Sequence, residues 1–242
     1  MFRSLATKFD QLALSLINEE WAHGDLSPDN IIVDNDGELH LIDLDARYTP
    51  QLKGMTSSEL GTPAYQSPNR DINDFNSRID DFSIVIISSS LHALSIEPDL
   101  NTKFPFLDGL LLNGAKVVDE GYETMNYVLE LFAMNGYFRQ YRALKALRFN
   151  RITIDNLPDL LLYKELSNCN LELFISWGLC GYCDAQSGEV IIQPLYDEAF
   201  EFRGDYALVR LSRWWFYIDK SGRAVEHCGE WRCGKPAKRR AQ

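Results

Sequence analysis

The chain has 242 residues with 45% hydrophobic and 12% aromatic content, which provides for a packed core and excludes a disordered protein. A formal net charge of −11 excludes a broad nucleic-acid surface, which needs clustered basic residues. No apolar run reaches the ~18 residues of a membrane span and no basic-then-apolar leader opens the chain, so the expectation is a cytoplasmic protein without membrane contact.

Residues 1 to 22 place Leu5, Phe9, Leu12, Leu16 and Ile17 at helical spacing, which predicts an amphipathic helix. The polar turn His23-Gly24-Asp25-Leu26-Ser27-Pro28-Asp29-Asn30 follows. Asp25 is placed to accept a proton. Asn30, five positions on, offers a neutral oxygen to a hard cation, which prefers oxygen ligands. Ile31-Ile32-Val33 reads as a short buried strand, Asp34-Asn35-Asp36-Gly37 as a turn, and Leu39 to Leu44 as the returning strand. Such a hairpin carries Asp43 back beside Asn30, where the two oxygens can share one metal. Taken alone, Asp25 and Asn30 are more often turn-capping residues. The register of His23, Leu26, Pro28, the hairpin and Asp43 favours the metal reading.

Further on, Gly61-Thr62-Pro63-Ala64-Tyr65-Gln66-Ser67-Pro68-Asn69 forms a second motif. Asp80-Asp81-Phe82-Ser83 then opens an apolar run, Ile84 to Leu94, that predicts a buried helix with Asp81 at its N-terminal end. A carboxylate is favoured there by the unpaired N–H groups and the dipole.

The strip His23 to Asp45 resembles the active-site strip of the protein-kinase-like phosphotransferases, and residues 61–69 resemble the end of a kinase activation segment. The spacing of 13 between Asn30 and Asp43 is the family's spacing of its metal Asn and metal Asp. The resemblance implies transfer of the ATP γ-phosphate to a hydroxyl of a protein or a small molecule, with ATP and Mg²⁺ as cofactors. It makes Asp25 the catalytic base with Asn30 beside it, and Asn30 and Asp43 the metal and cofactor ligands. His23 and Asp81 support the catalytic loop, Asp81 by tying down its backbone.

Several positions depart from the family pattern. Gly24 replaces an Arg, so a phosphorylated activation loop lacks its usual partner, and Thr49, Thr56, Ser57 and Ser58 read as plain loop hydroxyls. Ser27 takes the place of a Lys, Asp45 that of the Gly in Asp-Phe-Gly, and Asn69 that of an anchoring Glu. Aminoglycoside phosphotransferase-like and lipopolysaccharide kinase-like relatives tolerate His-Gly-Asp and a non-Lys residue. Asp45 reads as a turn acid or a further metal ligand. The Gly-rich loop and the Lys–Glu pair that grip ATP are missing from residues 1 to 22. The expectation is therefore a truncated large lobe, a poor catalyst alone, with its small lobe supplied by an upstream reading frame or a partner chain.

Helical patterns recur at Tyr127 to Phe132 and Tyr141 to Leu147, and after about residue 170 the texture changes to short strands and turns. Residues 181–209 form one unit, and Trp215 to Val225 repeats its opening, with Tyr182 and Tyr217 separated by 35. This pattern resembles the WG (tryptophan-glycine) repeats found in many bacterial proteins. Trp177, Trp214, Trp215 and Phe216 read as packing residues, with a partner-binding patch as the alternative. Cys169, Cys180, Cys183, Cys228 and Cys233 are odd in number, which disfavours a disulfide framework. Buried free thiols are expected, with a zinc site from the Cys180–Cys183 pair as the less favoured reading.

The combined expectation is an α+β chain: a mainly α-helical kinase-like lobe with a catalytic β-hairpin (1–165), a small antiparallel β module (170–228) and a disordered basic tail (229–242). The competing function is a non-catalytic pseudokinase with a WG-repeat module that acts by binding.

Overall fold

The computed structural model describes residues 1–105, 109–149, 154, 157–161 and 170–230. Cys169, Cys233 and the basic tail beyond Glu230 lie outside the described residues. The described residues divide into two compact units: a helical unit, and a β unit that also takes in Phe132–Phe138.

In the helical unit, α1 (Phe2–Asn18) buries Ala6, Phe9, Ala13, Leu14 and Leu16 along one stripe; of the residues at predicted apolar positions Phe9 and Leu16 are buried, while Leu5, Leu12 and Ile17 are half-buried at its edge. That stripe packs against α2 (Asp81–Ile96). Helix α2 is buried almost all round, through Phe82, Ile84, Val85, Ile86, Ile87, Leu91 and Leu94. Ser83, Ser88 and Ser90 do not break the core, because each finds a partner. Ser83 Oγ donates to the Tyr65 carbonyl at 2.5 Å and Ser88 Oγ to Asp10 at 2.6 Å. Asp10 also binds His92 Nε2 at 2.8 Å, so one carboxylate of α1 braces two side chains of α2. The unit continues through α3 (Leu100–Lys103), α4 (Glu123–Asn135), α5 (Phe138–Leu147) and α6 (Leu157–Leu161).

Strands β1 (Ile31–Val33) and β2 (Leu39–Leu41) pair antiparallel, with Ile31 opposite Leu41 and Val33 opposite Leu39. The hairpin is shorter than expected and its first strand is not buried: Ile32 and Val33 are 49% and 48% exposed. A two-stranded sheet has no third strand or opposing layer to cover both faces. Lys8 anchors its tip from α1, donating to the Gly37 carbonyl at 2.8 Å and to Glu38 at 2.6 Å.

The β unit contains two antiparallel sheets. One has the order β3 (Leu171–Ser176), β4 (Leu179–Asp184), β5 (Val190–Tyr196). The other has the order β6 (Glu198–Ala199), β7 (Tyr206–Leu211), β8 (Trp214–Asp219), β9 (Ala224–Glu230). The repeat is visible in the turns. Asp184 Oδ1 accepts the Gln186 and Ser187 N–H groups after β4, and Asp219 Oδ1 accepts those of Ser221 and Arg223 after β8. Aromatic packing closes the unit, with Phe138 edge-on to both Tyr196 and Phe216.

A helix-dominated α+β architecture is corrected by these elements. Among the described residues the structure is mixed, 36% helix and 22% strand, with three small antiparallel sheets, the largest four-stranded and nearest the C-terminus. The strand share rises because the repeat texture continues past its first unit into β8 and β9.

Candidate functional site

The residues singled out in the first motif converge at the start of the β1–β2 hairpin. After α1 ends, Gly24 turns the chain at φ +84°, and a Cβ there would lie 2.1 Å from the Ala46 carbonyl oxygen. Only glycine accommodates that approach. The turn puts His23 fully inside and leaves Asp25 half-buried against Gly61 and Thr62. His23 Nδ1 accepts the Asp25 N–H at 3.3 Å, which assigns the proton to Nε2, and Nε2 donates to the Ile42 carbonyl at 2.8 Å. One neutral imidazole thus links the Asp25 backbone to the residue before Asp43.

Asn30 is buried, and its Nδ2 donates to the Asp25 carbonyl at 2.8 Å and to Asp25 Oδ2 at 3.2 Å. With both amide protons so used, the amide orientation is fixed. Asn30 Oδ1 has no protein donor among the described residues. The Ile42 N–H donates to the Asn30 carbonyl at 3.0 Å, so the hairpin returns the chain to Asn30 one residue before Asp43. Asp43 is exposed, with no side-chain hydrogen bond among the described residues, and has a left-handed backbone at φ +58°. A non-glycine residue in that region costs of order 1–3 kcal/mol and collects at functional sites. Asp45 lies exposed in the following turn.

The loop's backbone anchor is Asp80, not Asp81. Its two oxygens accept the His23 N–H at 2.5 Å and the Gly24 N–H at 3.0 Å. Burial pushes the Asp80 carboxyl up, opposed by those two bonds and by the Arg70 cation. Asp81, one residue on, faces away from the loop: its Oδ2 accepts the Ile154 N–H at 2.9 Å and pairs with Arg78 at 2.6 Å. Burial raises Asp81 to about 6 despite both partners. Adjacent acids at a helix start look alike in sequence, and their roles are decided by which side of the first turn faces the loop.

The second motif packs against the first. The Thr62 N–H donates to Asp25 Oδ1 at 2.5 Å. Gly61, at φ +73°, leaves no room for a Cβ between Asp25 Oδ1, Gln66 and Gly24. Arg70, which sequence reasoning passed over, is 7% exposed and donates from Nη1 to the Gly24 carbonyl at 2.6 Å and to Gln66 Oε1. Nothing in a lone Arg after Ser-Pro-Asn marks it as internal. Ser27 is buried, and its hydroxyl has no partner among the described residues.

Chemically, the site offers a carboxylate held by an amide and a backbone N–H, and two further oxygens, Asn30 Oδ1 and the Asp43 carboxylate, without protein donors among the described residues. Such oxygens fit a hard cation that keeps part of its water shell.

The cysteines behave as thiols. Cys180 is buried, with burial raising its thiol, Cys183 and Cys228 are half-buried, and none of the three is in a disulfide. On strand β4, positions three apart point to opposite faces, so Cys180 and Cys183 do not converge. Among the described residues no group of three or more His, Cys, Asp or Glu is placed to hold a metal ion. In the β unit Trp215 and Phe216 are both buried, which a register shift between them permits, whereas Trp177 is 100% exposed. No helix among the described residues is long and apolar enough to cross a membrane.

No curated protein matches the chain. Residues 181–212, from β4 through β7, match the family model of the WG containing repeat. The chain carries a WG repeat in its β unit.

Proposed function

We propose that the helical unit is the catalytic part of a protein-kinase-like phosphotransferase that moves the ATP γ-phosphate to a hydroxyl acceptor. The observation that carries this reading is the Asp25–Asn30–Asp43 arrangement. Asn30 spends its amide protons on Asp25, which leaves Asn30 Oδ1 without a protein donor among the described residues, and the Asp43 carboxylate is exposed. In the proposed reaction Asp25 accepts the proton of the attacking hydroxyl. Asn30 and Asp43 would hold Mg²⁺, which neutralises charge on the phosphates when bound. His23 and Asp80 keep the loop and the hairpin in register through their backbone bonds.

Thermal unfolding of the full-length gene product with and without MgATP tests this reading. A ligand at 100 times its Kd stabilises the folded state by about 2.7 kcal/mol, which is a Tm rise of several degrees. The rise should disappear with EDTA and in Asp43→Asn. An equal rise with ATP alone, or in Asp43→Asn, contradicts the proposed metal ligands.

A second reading, a binding module without catalysis, is favoured by the WG repeat match and by the complete exposure of Trp177 at a hairpin tip. Under that reading MgATP leaves Tm unchanged, while Trp177→Ala weakens capture of a partner.

A further inference from the structure

Two segments of the helical unit, the loop at Gly24 and the stretch from Ser57 to Gln66, meet at one buried cation. The Arg70 guanidinium donates from Nη1 to the Gly24 carbonyl at 2.6 Å and to Gln66 Oε1, and from Nη2 to Ser57 Oγ at 3.5 Å. Ser57 is itself fixed, its N–H on the Ile72 carbonyl at 2.8 Å and its hydroxyl on the Glu59 carbonyl at 2.5 Å. The charges of Asp80, Asp25, Asp74 and Glu59 favour the guanidinium cation, opposing the burial that disfavours it. An isolated buried cation is costly, and here it is offset by acceptors on two chain segments and by surrounding carboxylates. The planar fork matters, because one ammonium cannot reach acceptors spread from Gly24 to Ser57.

We propose that Arg70 is a built-in positioning residue that fixes the His23–Asp25 loop against the Ser57–Gln66 segment, so that Asp25 is held in place without covalent modification of that segment. Two contacts made by other residues report the same junction. The Thr62 N–H reaches Asp25 Oδ1, and Gly61 approaches Asp25 and Gly24 too closely for a side chain. The charge that Gly24 cannot supply from within the loop arrives from Arg70. The consequence for turnover rests on the phosphotransferase reading; the consequence for loop order does not.

The test uses the full-length protein and the variants Arg70→Met and Arg70→Lys. Amide hydrogen exchange is followed at Gly24, Ser57 and Thr62, whose acceptors are Asp80, Ile72 and Asp25. Arg70→Met should raise exchange at all three amides at least tenfold and leave α2 within twofold of wild type. Arg70→Lys should restore protection at Gly24 but not at Ser57. If Arg70→Met fails to fold, the Lys variant decides alone through that contrast. Exchange within twofold of wild type at all three amides, or an equal rise across α1 and α2, overturns the proposal. In MgATP turnover, Arg70→Lys should lower kcat ten- to a hundredfold with KM for MgATP within twofold, and an unchanged kcat also overturns it. A wild-type protein with no MgATP turnover sinks the phosphotransferase reading, and the exchange pattern then still decides the role of Arg70.

Discussion

Asp80 and Asp81 show how one position in a helix start separates two jobs. Asp80 accepts two backbone N–H groups of the His23–Gly24 turn, and an amide there would set its NH₂ against one of them. Asp80→Asn should therefore cost about 2–3 kcal/mol in urea unfolding, the price of a buried donor left facing a donor. Asp81 titrates differently. Its folded value of about 6 lies above the ordinary 3.8 because burial outweighs the Ile154 amide and Arg78. Between those values the folded chain binds more protons than the unfolded one, so stability is greatest at the acid end. It falls as the pH rises through about 6 and is level above that, with an amplitude on the order of 2–3 kcal/mol. Asp81→Asn keeps an acceptor for the Ile154 N–H and should flatten the part of the fall that Asp81 causes, read as urea midpoints from pH 4 to 7. An undiminished fall in the variant contradicts the assignment. Sequence exposed Asp25, Asn30 and Asp43 through their spacing. It did not separate Asp80 from Asp81 or reveal Arg70, because burial and partner choice across long separations leave no periodic trace.

Helices were the most legible elements. The stripe of Leu5, Phe9, Leu12 and Leu16 and the apolar run after Asp81 specify α1 and α2, since a 3.6-residue period and an unbroken apolar run are local properties. The hairpin was legible in position but not in burial: whether Ile32 and Val33 are covered depends on what packs above a two-stranded sheet. Gly24 is the backbone device that lets the loop lie against Ala46. Gly24→Ala meets both a positive φ and a clash with a carbonyl oxygen, and it should cost at least about 2 kcal/mol while raising exchange of the Asp25 amide. In the β unit, Phe138 lies outside both helical patterns named from the sequence, and its ring packs on Tyr196 and Phe216. Phe138→Ala should lower that unit's stability by about 3–5 kcal/mol, followed by fluorescence of the buried Trp215. A change below about 1 kcal/mol would show that the ring is peripheral.

Taken whole, the chain joins a helical unit that carries a polar site to a β unit that carries a WG repeat. The mixed proportions, and not a helix-dominated lobe, follow from two successive meanders built on the same Asp-anchored turn. Net charge of −11 argues against an anionic polymer as acceptor, which a negative surface repels. The central claim is the phosphotransferase chemistry of Asp25, Asn30 and Asp43. Its most direct measurement is transfer of the labelled γ-phosphate of ATP by the full-length gene product, compared with Asp25→Asn and Asp43→Asn. The account predicts Mg²⁺-dependent transfer that falls at least a hundredfold in each variant, with the fold of both variants intact by circular dichroism. Transfer by wild type that persists unchanged in Asp25→Asn, or no transfer by wild type to any hydroxyl acceptor including water, would contradict it.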